Sequence, residues 1–227
     1  MLVIGHRGAG GEAHENSIAA LHTAIDAGAD MVEFDVRLTR DDKLVLSHDF
    51  HLYRSHKQLD IVRRLTLAEL KKRTAGSEQP IVTLDQALKV CAGKIFVMIE
   101  LKDKGSGLAT LELITRKYKD IFDSVMLSSF STRELSRVRS LNKKVKLAML
   151  MRLNPFAFLA WERKLHLSAV GLHRLHVNKL AIQAAHQLDM LVYVYTVNRT
   201  AALSHLAAQD IDAVVTDFPS RFVERLS

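Results

Sequence analysis

Short apolar runs rich in Val, Ile, Leu and Met recur along the chain, and each is followed by a stretch whose apolar positions fall at helical spacing. The runs are LVIGH (2–6), MVEFDV (31–36), IFVMIEL (95–101), SVMLSSF (124–130), VKLAML (145–150), SAVGLH (168–173), MLVYVYTV (190–197) and DAVVTDF (212–218). Helical patterns occupy SIAALHTAIDAG, TLAELKKR, TLDQALKVC, GLATLELITRKYKD, the stretch from Ser131 or Thr132 towards Lys143, PFAFLAWERKLH, NKLAIQAAHQLD and TAALSHLAAQD. Strands alternating with helices predict a parallel sheet, because parallel neighbours need a crossover connection. Eight repeats within 227 residues predict one domain over residues 1–227, of α/β class, closed as a (β/α)8 TIM barrel. An open doubly wound sheet is the second choice.

The stretch VEFDVRLTRDDKLVLSHD (Val32 to Asp49) breaks the rule. The run KLVLSHD follows Val36 too closely for a helical crossover, so it is expected to fold back as a β-hairpin extension after the second strand, turning near Asp41 and Asp42. That register sets position 48 opposite position 35. If Val32, Phe34 and Val36 pack outward, Glu33 and Asp35 lie together on the opposite face. Two inward carboxylates two residues apart repel, so a positive species is expected between them.

Bulk properties narrow the class. Hydrophobic residues make up 48% of the chain against 3 Pro and 10 Gly, ample for one core and without a linker-like stretch. One cysteine, Cys91, excludes an intramolecular disulfide, and no basic leader or long apolar span is evident, so a cytoplasmic protein without stable membrane insertion is expected. The net charge of +7 is uneven: 13 basic against 14 acidic residues up to position 100, then 19 against 11. The basic residues are dispersed and lack interleaved aromatics, which argues against nucleic acid and for attraction of a small anion, or for a solvated basic surface.

On a barrel, polar residues interrupting the strands gather at the C-terminal rim, where such enzymes build their sites. They are His6 and Arg7, Glu33 and Asp35, and Glu100 and Lys102. Glu33, Asp35 and Glu100 form a hard oxygen-ligand set suited to Mg²⁺ or Ca²⁺, and no Cys cluster or His-x₃-His spacing suggests structural zinc. The alternative is an ion-pair cluster with Arg7 or Lys102.

The motifs HRG (6–8), ENS (15–17) with AAL and AGAD, EFDVRLTRDD, VLSHDFHLYR, TLDQAL, IELK (99–102), SSF (128–130), TVN (196–198) and TDFP (216–219) follow one another in order. With them the chain resembles the glycerophosphodiester phosphodiesterase family over essentially its whole length. The resemblance implies a barrel, a divalent cation (Mg²⁺ or Ca²⁺) on Glu33, Asp35 and Glu100, and His6 with His48 as the acid-base pair. It also implies that Arg7 and Lys102 face the phosphate. The implied reaction hydrolyses a small glycerophosphodiester to glycerol 3-phosphate and an alcohol such as choline or ethanolamine. The cation neutralises phosphate charge and activates a glycerol hydroxyl, one histidine removes its proton, the other protonates the leaving alcohol, and water completes hydrolysis. Which histidine does which is not legible. Neither are the head group, the preferred ion and the oligomeric state.

Departures from the family pattern are Ser17 for Thr, His14 for Pro, Tyr195 for Trp, and RSHKQLDIVRR (54–64) in place of a Gly-rich segment. Tyr195 is expected to bind substrate, and it shares with Phe130 the choice between pocket wall and barrel filling. His173 is the one further histidine expected to line the pocket. Asn16 and Ser17 are expected to cap the first helix, Glu15 to orient Arg7, Asp217 to anchor the TDFP turn and cap the last helix, and Cys91 to be core. Alternatives to the implied activity are a lysophospholipase D-like or phosphoinositide-cleaving phosphodiesterase, and a non-catalytic anion-binding barrel.

Overall fold

A computed structural model describes residues 1–77 and 79–226. Its strands are β1 (Leu2–Gly5), β2 (Met31–Leu38), β3 (Leu44–Leu46), β4 (Phe96–Leu101), β5 (Val125–Ser129), β6 (Lys146–Met151), β7 (Ala169–His173), β8 (Leu191–Tyr195) and β9 (Ala213–Thr216). All but β3 are parallel, in the order β1, β9, β8, β7, β6, β5, β4, β2, and pairing of β1 with β2 closes the ring. The result is the TIM barrel expected from the alternation, with all eight anticipated runs as staves.

The helices are α1 (Ile18–Asp26), α2 (Tyr53–His56), α3 (Leu67–Thr74), α4 (Leu84–Cys91), α5 (Ser106–Lys117), α6 (Thr132–Leu141), α7 (Glu162–Leu165), α8 (Lys179–His186), α9 (Leu203–Ala207) and α10 (Pro219–Leu226). Local chemistry sets their starts. Thr66 and Thr83 each form a reciprocal capping box, with Glu69 and Gln86, and Ser131 and Asn178 cap α6 and α8. At α1 the cap is Ser17, whose Oγ accepts from Ala20 N–H. Asn16 is not the cap: its backbone is left-handed at φ 55°, and its side chain is turned to Asp35 instead.

Period-two alternation divides the strand residues between two cores. Val32, Phe34, Val36, Val97, Ile99, Leu127 and Val214 pack outward beneath the helices, together with Cys91. Ile4, Met98, Met126, Leu150, Tyr193 and Val215 fill the barrel interior. Tyr193 fits because Gly171 lies beside it: a Cβ there would come within 2.6 Å of the tyrosine ring.

β3 runs antiparallel to β2, and the turn passes through Asp42 at φ 55°. The pairs are Val36 with Leu46 and Leu38 with Leu44, which sets Ser47, not His48, opposite Asp35; Ser47 N–H donates to Asp35 O at 3.1 Å. The register is one residue off the sequence expectation, and on a continuing strand that slip would reverse the direction of His48. The ladder stops at Leu46, however, and the chain then bends, so His48 reaches the mouth of the barrel by leaving the sheet.

Among the described residues no helix is long and apolar enough to cross a membrane.

Candidate active site

A cavity of about 650 Å³ opens at the C-terminal rim, and His6, Arg7, Glu33, His48, Glu100, Lys102 and Tyr195 all line it. Asp35 lies behind them, 1% exposed, hydrogen-bonded to Asn16. The eight residues expected from the sequence are thus brought to one end of the barrel.

The HRG turn is what aims the first two. Arg7 and Gly8 both take positive φ, 53° and 82°, and a Cβ on Gly8 would lie 2.6 Å from the carbonyl carbon of Ala20, so only glycine lets the turn press against α1. Arg7 N–H then donates to Glu33 Oε2 at 3.0 Å, and Gly8 N–H to the Glu33 carbonyl. The Arg7 guanidinium reaches Glu15 Oε2 at 2.7 Å and Asp35 Oδ2 at 3.3 Å. Glu15 is therefore the carboxylate that holds Arg7, as the ENS motif suggested.

The two histidines are held alike. His6 Nδ1 contacts Asp217 Oδ1 at 2.5 Å, and His48 Nδ1 contacts Asp49 Oδ1 at 2.7 Å. With Nδ1 engaged, Nε2 is the nitrogen of each ring left for another partner. Asp217 is fixed in turn by Asn198, which donates to its Oδ2 at 2.5 Å, and Asp49 by Arg54, whose Nε donates at 2.7 Å. Asp217 was expected to cap the final helix; it orients a histidine 211 positions away instead.

Their electrostatic settings differ. Burial favours neutral imidazole at both, but at His6 the Asp217 hydrogen bond and the Glu33 charge outweigh it, and the pKa is raised. At His48 burial dominates; Asp35 opposes it, Arg7 and Lys102 reinforce it, and the pKa is lowered.

Oxygen atoms of Glu33, Asp35 and Glu100 lie within 4.8 Å of one another. Burial, then the charge of Asp35, pushes the pKa of both Glu33 and Glu100 up, whereas for Asp35 the lowering by Lys102 and Arg7 overcomes burial. Lys102 Nζ lies 2.6 Å from Glu100 Oε1 and 2.9 Å from Asp35 Oδ1. Glu33 Oε1 is buried and makes no hydrogen bond, and the same holds for Ser128 Oγ and Tyr193 Oη. A carboxylate oxygen buried without a partner, in an all-oxygen cluster, is the environment a hard divalent cation satisfies, so the donor set fits Mg²⁺ or Ca²⁺.

The far wall of the cavity comes from the ends of β5 to β8. Tyr195 Oη donates to Met151 O at 2.7 Å, and the Tyr195 ring stands edge-on to Phe130 and His173, with centroids 5.9 and 5.7 Å away. Both tyrosine and phenylalanine are therefore pocket wall, and His173 joins them. Sequence reasoning did not find Asp49, Asn198, Arg54 or Arg152, and gave Asp217 a different role. The HD and TDFP motifs carry the two aspartates, but only the fold shows which histidine each one meets.

Comparison with known proteins gives a consistent picture. The sequence model of the glycerophosphoryl diester phosphodiesterase family matches residues 6–221. The Bacillus subtilis protein YhdW is 32% identical over 237 residues, covering 99% of this chain and 97% of its own. A glycerophosphodiester phosphodiesterase of Caldanaerobacter subterraneus is 28% identical over 98% of this chain and 96% of its own. Among solved structures, a phosphodiesterase of Oleispira antarctica in complex with the product sn-glycerol-3-phosphate superposes with a TM-score of 0.90 at 25% identity, over 100% of this chain and 96% of its own. A glycerophosphodiester phosphodiesterase of Thermotoga maritima gives 0.85 at 28%, over 99% and 97%.

Proposed function

Because the chain belongs to the glycerophosphoryl diester phosphodiesterase family, we propose that it hydrolyses glycerophosphodiesters by His6 and His48 acid-base catalysis beside a divalent cation on Glu33, Asp35 and Glu100. It is an enzyme of that class, and small glycerophosphodiesters are its substrates. The observation that carries the catalytic assignment is the matched pair of Nδ1–aspartate contacts, which present two imidazoles to one cavity with opposite pKa displacements.

A phosphodiester resists hydrolysis because its charge repels nucleophiles and its alkoxide leaves poorly. Arg7 and Lys102, both at the cavity, face the phosphate and offset that charge. A Mg²⁺ or Ca²⁺ ion held by the three carboxylates, when bound, supplies further charge neutralisation and lowers the pKa of a glycerol hydroxyl. His48, shifted towards its neutral form, accepts the proton of that hydroxyl at Nε2 as the hydroxyl oxygen bonds to phosphorus; His6, shifted towards its protonated form, gives one to the departing alcohol oxygen as its bond to phosphorus breaks, and water then opens the resulting cyclic phosphate to glycerol 3-phosphate with the two proton transfers reversed. Asp49 and Asp217 keep the two rings aimed and stabilise whichever is cationic.

The test is release of glycerol 3-phosphate from glycerophosphodiesters before and after exhaustive chelation. Activity should be abolished and Mg²⁺ or Ca²⁺ should restore it, while Glu33→Gln and Asp35→Asn fold and stay inactive. Full turnover after chelation would remove the cation from the reaction, and unfolding of both variants would make the cluster a structural ion-pair site.

A further inference from the structure

The cavity has two unlike ends, and the difference bears on which alcohol leaves. The two histidines, Arg7, Lys102 and the three carboxylates come from β2, β4, the residues just after β1 and β4, and the bend after β3, on one side of the barrel mouth. The floor beside them holds the buried hydroxyls of Ser128 and Tyr193, 0% and 1% exposed and without hydrogen-bond partners. Unpartnered buried hydroxyls are costly unless a bound polar group meets them, and the hydroxyls of glycerol are suited to that. Glycerol therefore fits inward, next to the carboxylates, and the other alcohol points towards the rim.

There it meets the opposite wall, where Arg152, His173 and Arg174 stand with Phe130 and Tyr195. Arg152 lies over the Phe130 ring, 5.4 Å from its centroid, and among the described residues its guanidinium has no hydrogen-bond or ion-pair partner. Arg174 makes one long contact, 3.4 Å, to the Thr196 carbonyl. Among the described residues neither arginine has a carboxylate within ion-pair distance, unlike Arg7, Arg37 and Arg54, which are each paired. The carboxylates that do line the cavity, Glu33, Glu100 and Asp49, are on the other side and are engaged with Arg7, Lys102 and His48. The wall thus carries two uncommitted positive charges and none to oppose them.

We propose that the Arg152–Arg174 wall is the subsite for the departing alcohol and selects diesters whose alcohol bears a negative charge, such as a second phosphate, over those with a quaternary ammonium. This rests on the catalytic reading above for the orientation of the diester. An alcohol carrying phosphate would be gripped by the guanidinium N–H groups, which suit its oxygens in number and charge. Choline would find aromatic faces, as a cation-binding site requires, but one of them is already covered by a guanidinium and the field has the wrong sign. Glycerol is neutral in every substrate of the class, so charge on this wall discriminates only through the other end.

The experiment compares kcat/KM for three diesters of sn-glycerol 3-phosphate that differ in the second alcohol: choline, glycerol, and glycerol phosphate. The wild type should prefer them in the order anionic, neutral, cationic. Arg152→Gln and Arg174→Gln should each lower the ratio of anionic to choline diester by about 3- to 10-fold, the scale of a solvent-accessible charge contact, with the neutral diester falling between the two. Arg152→Glu should move the ratio further in the same direction. A wild type that turns over the choline diester as well as the anionic one, or variants that slow all three by one factor, would overturn the proposal; the latter would mean general attraction of phosphodiesters. Calorimetric binding of the same three diesters to His48→Ala repeats the comparison without turnover. Binding in the stated order by a wild-type protein that hydrolyses none of them would sink the catalytic reading and leave the subsite standing, whereas hydrolysis without the order would do the reverse.

Discussion

His6 and His48 are distinguished by their neighbours rather than by their own positions. Asp217 and Glu33 keep His6 more basic than an ordinary imidazole, and burial with Arg7 and Lys102 keeps His48 less so. Hence the proposed base is neutral and the proposed acid protonated over a common pH window. Below it His48 gains a proton and the base is lost; above it His6 loses its proton and the acid is lost. A bell-shaped kcat profile should result, and the leaving group separates its two limbs. A phenol of low pKa departs without protonation, so His6→Ala should hydrolyse an activated aryl ester of glycerol phosphate close to the wild-type rate, and without the alkaline limb. On natural diesters the same variant should lose about 10²- to 10⁴-fold. His48→Ala should be impaired on both substrates. If the two variants lose equally on both, the histidines do not divide the proton transfers.

At the level of elements, the staves were legible because burial on both faces makes each a nearly continuous apolar run, and the first helix because its apolar spacing ends at a glycine. The register of the hairpin was not legible, since turn residues alone leave a one-residue ambiguity that only the pairing of Val36 with Leu46 resolves. The segment 54–64, singled out for departing from its expected character, has a physical use. Arg54 on α2 donates Nε to Asp49 Oδ2 at 2.7 Å and Nη1 to Glu15 Oε2 at 2.6 Å. It therefore bridges the carboxylate that aims His48 and the one that holds Arg7, so α2 acts as a brace across the mouth. Such a role predicts that Arg54→Ala, although 46% of the side chain is exposed, lowers kcat more than it raises KM and shifts the acidic limb of the profile. Lys at 54 should restore part of the loss, since it keeps the charge and forfeits the fork. Unchanged kcat and limbs in Arg54→Ala would reduce the bridge to a surface ion pair of little consequence.

Taken as a whole, the molecule places three carboxylates at the top of a closed barrel above a mostly apolar interior, and its stability must register that. Burial and the charge of Asp35 raise the pKa of Glu33 and Glu100, so without a cation the folded state holds protons that the unfolded chain would release. The favourable contribution is complete below the ordinary glutamate pKa and is lost as pH rises through the raised folded values. Above the ordinary aspartate pKa, where the lowered carboxyls Asp35, Asp49 and Asp217 add no further pH dependence, cation-free protein should accordingly lose melting temperature as pH rises to neutrality, and Glu33→Gln, which cannot ionise at that position, should lose less. A bound divalent cation should remove the difference for the wild type by supplying the missing positive charge, whereas the variant, short of one ligand, should gain little. At a hundredfold excess over Kd the linkage amounts to about 2.7 kcal/mol. For a chain of 227 residues that corresponds to a rise of about 5 to 10 °C. Differential scanning calorimetry of both proteins at acidic and neutral pH, with chelator or with Mg²⁺ or Ca²⁺, measures all these quantities without reference to turnover. A wild-type melting temperature indifferent to the cation at neutral pH, or a Glu33→Gln variant stabilised by it to the same extent, would place the ion elsewhere than on this carboxylate cluster.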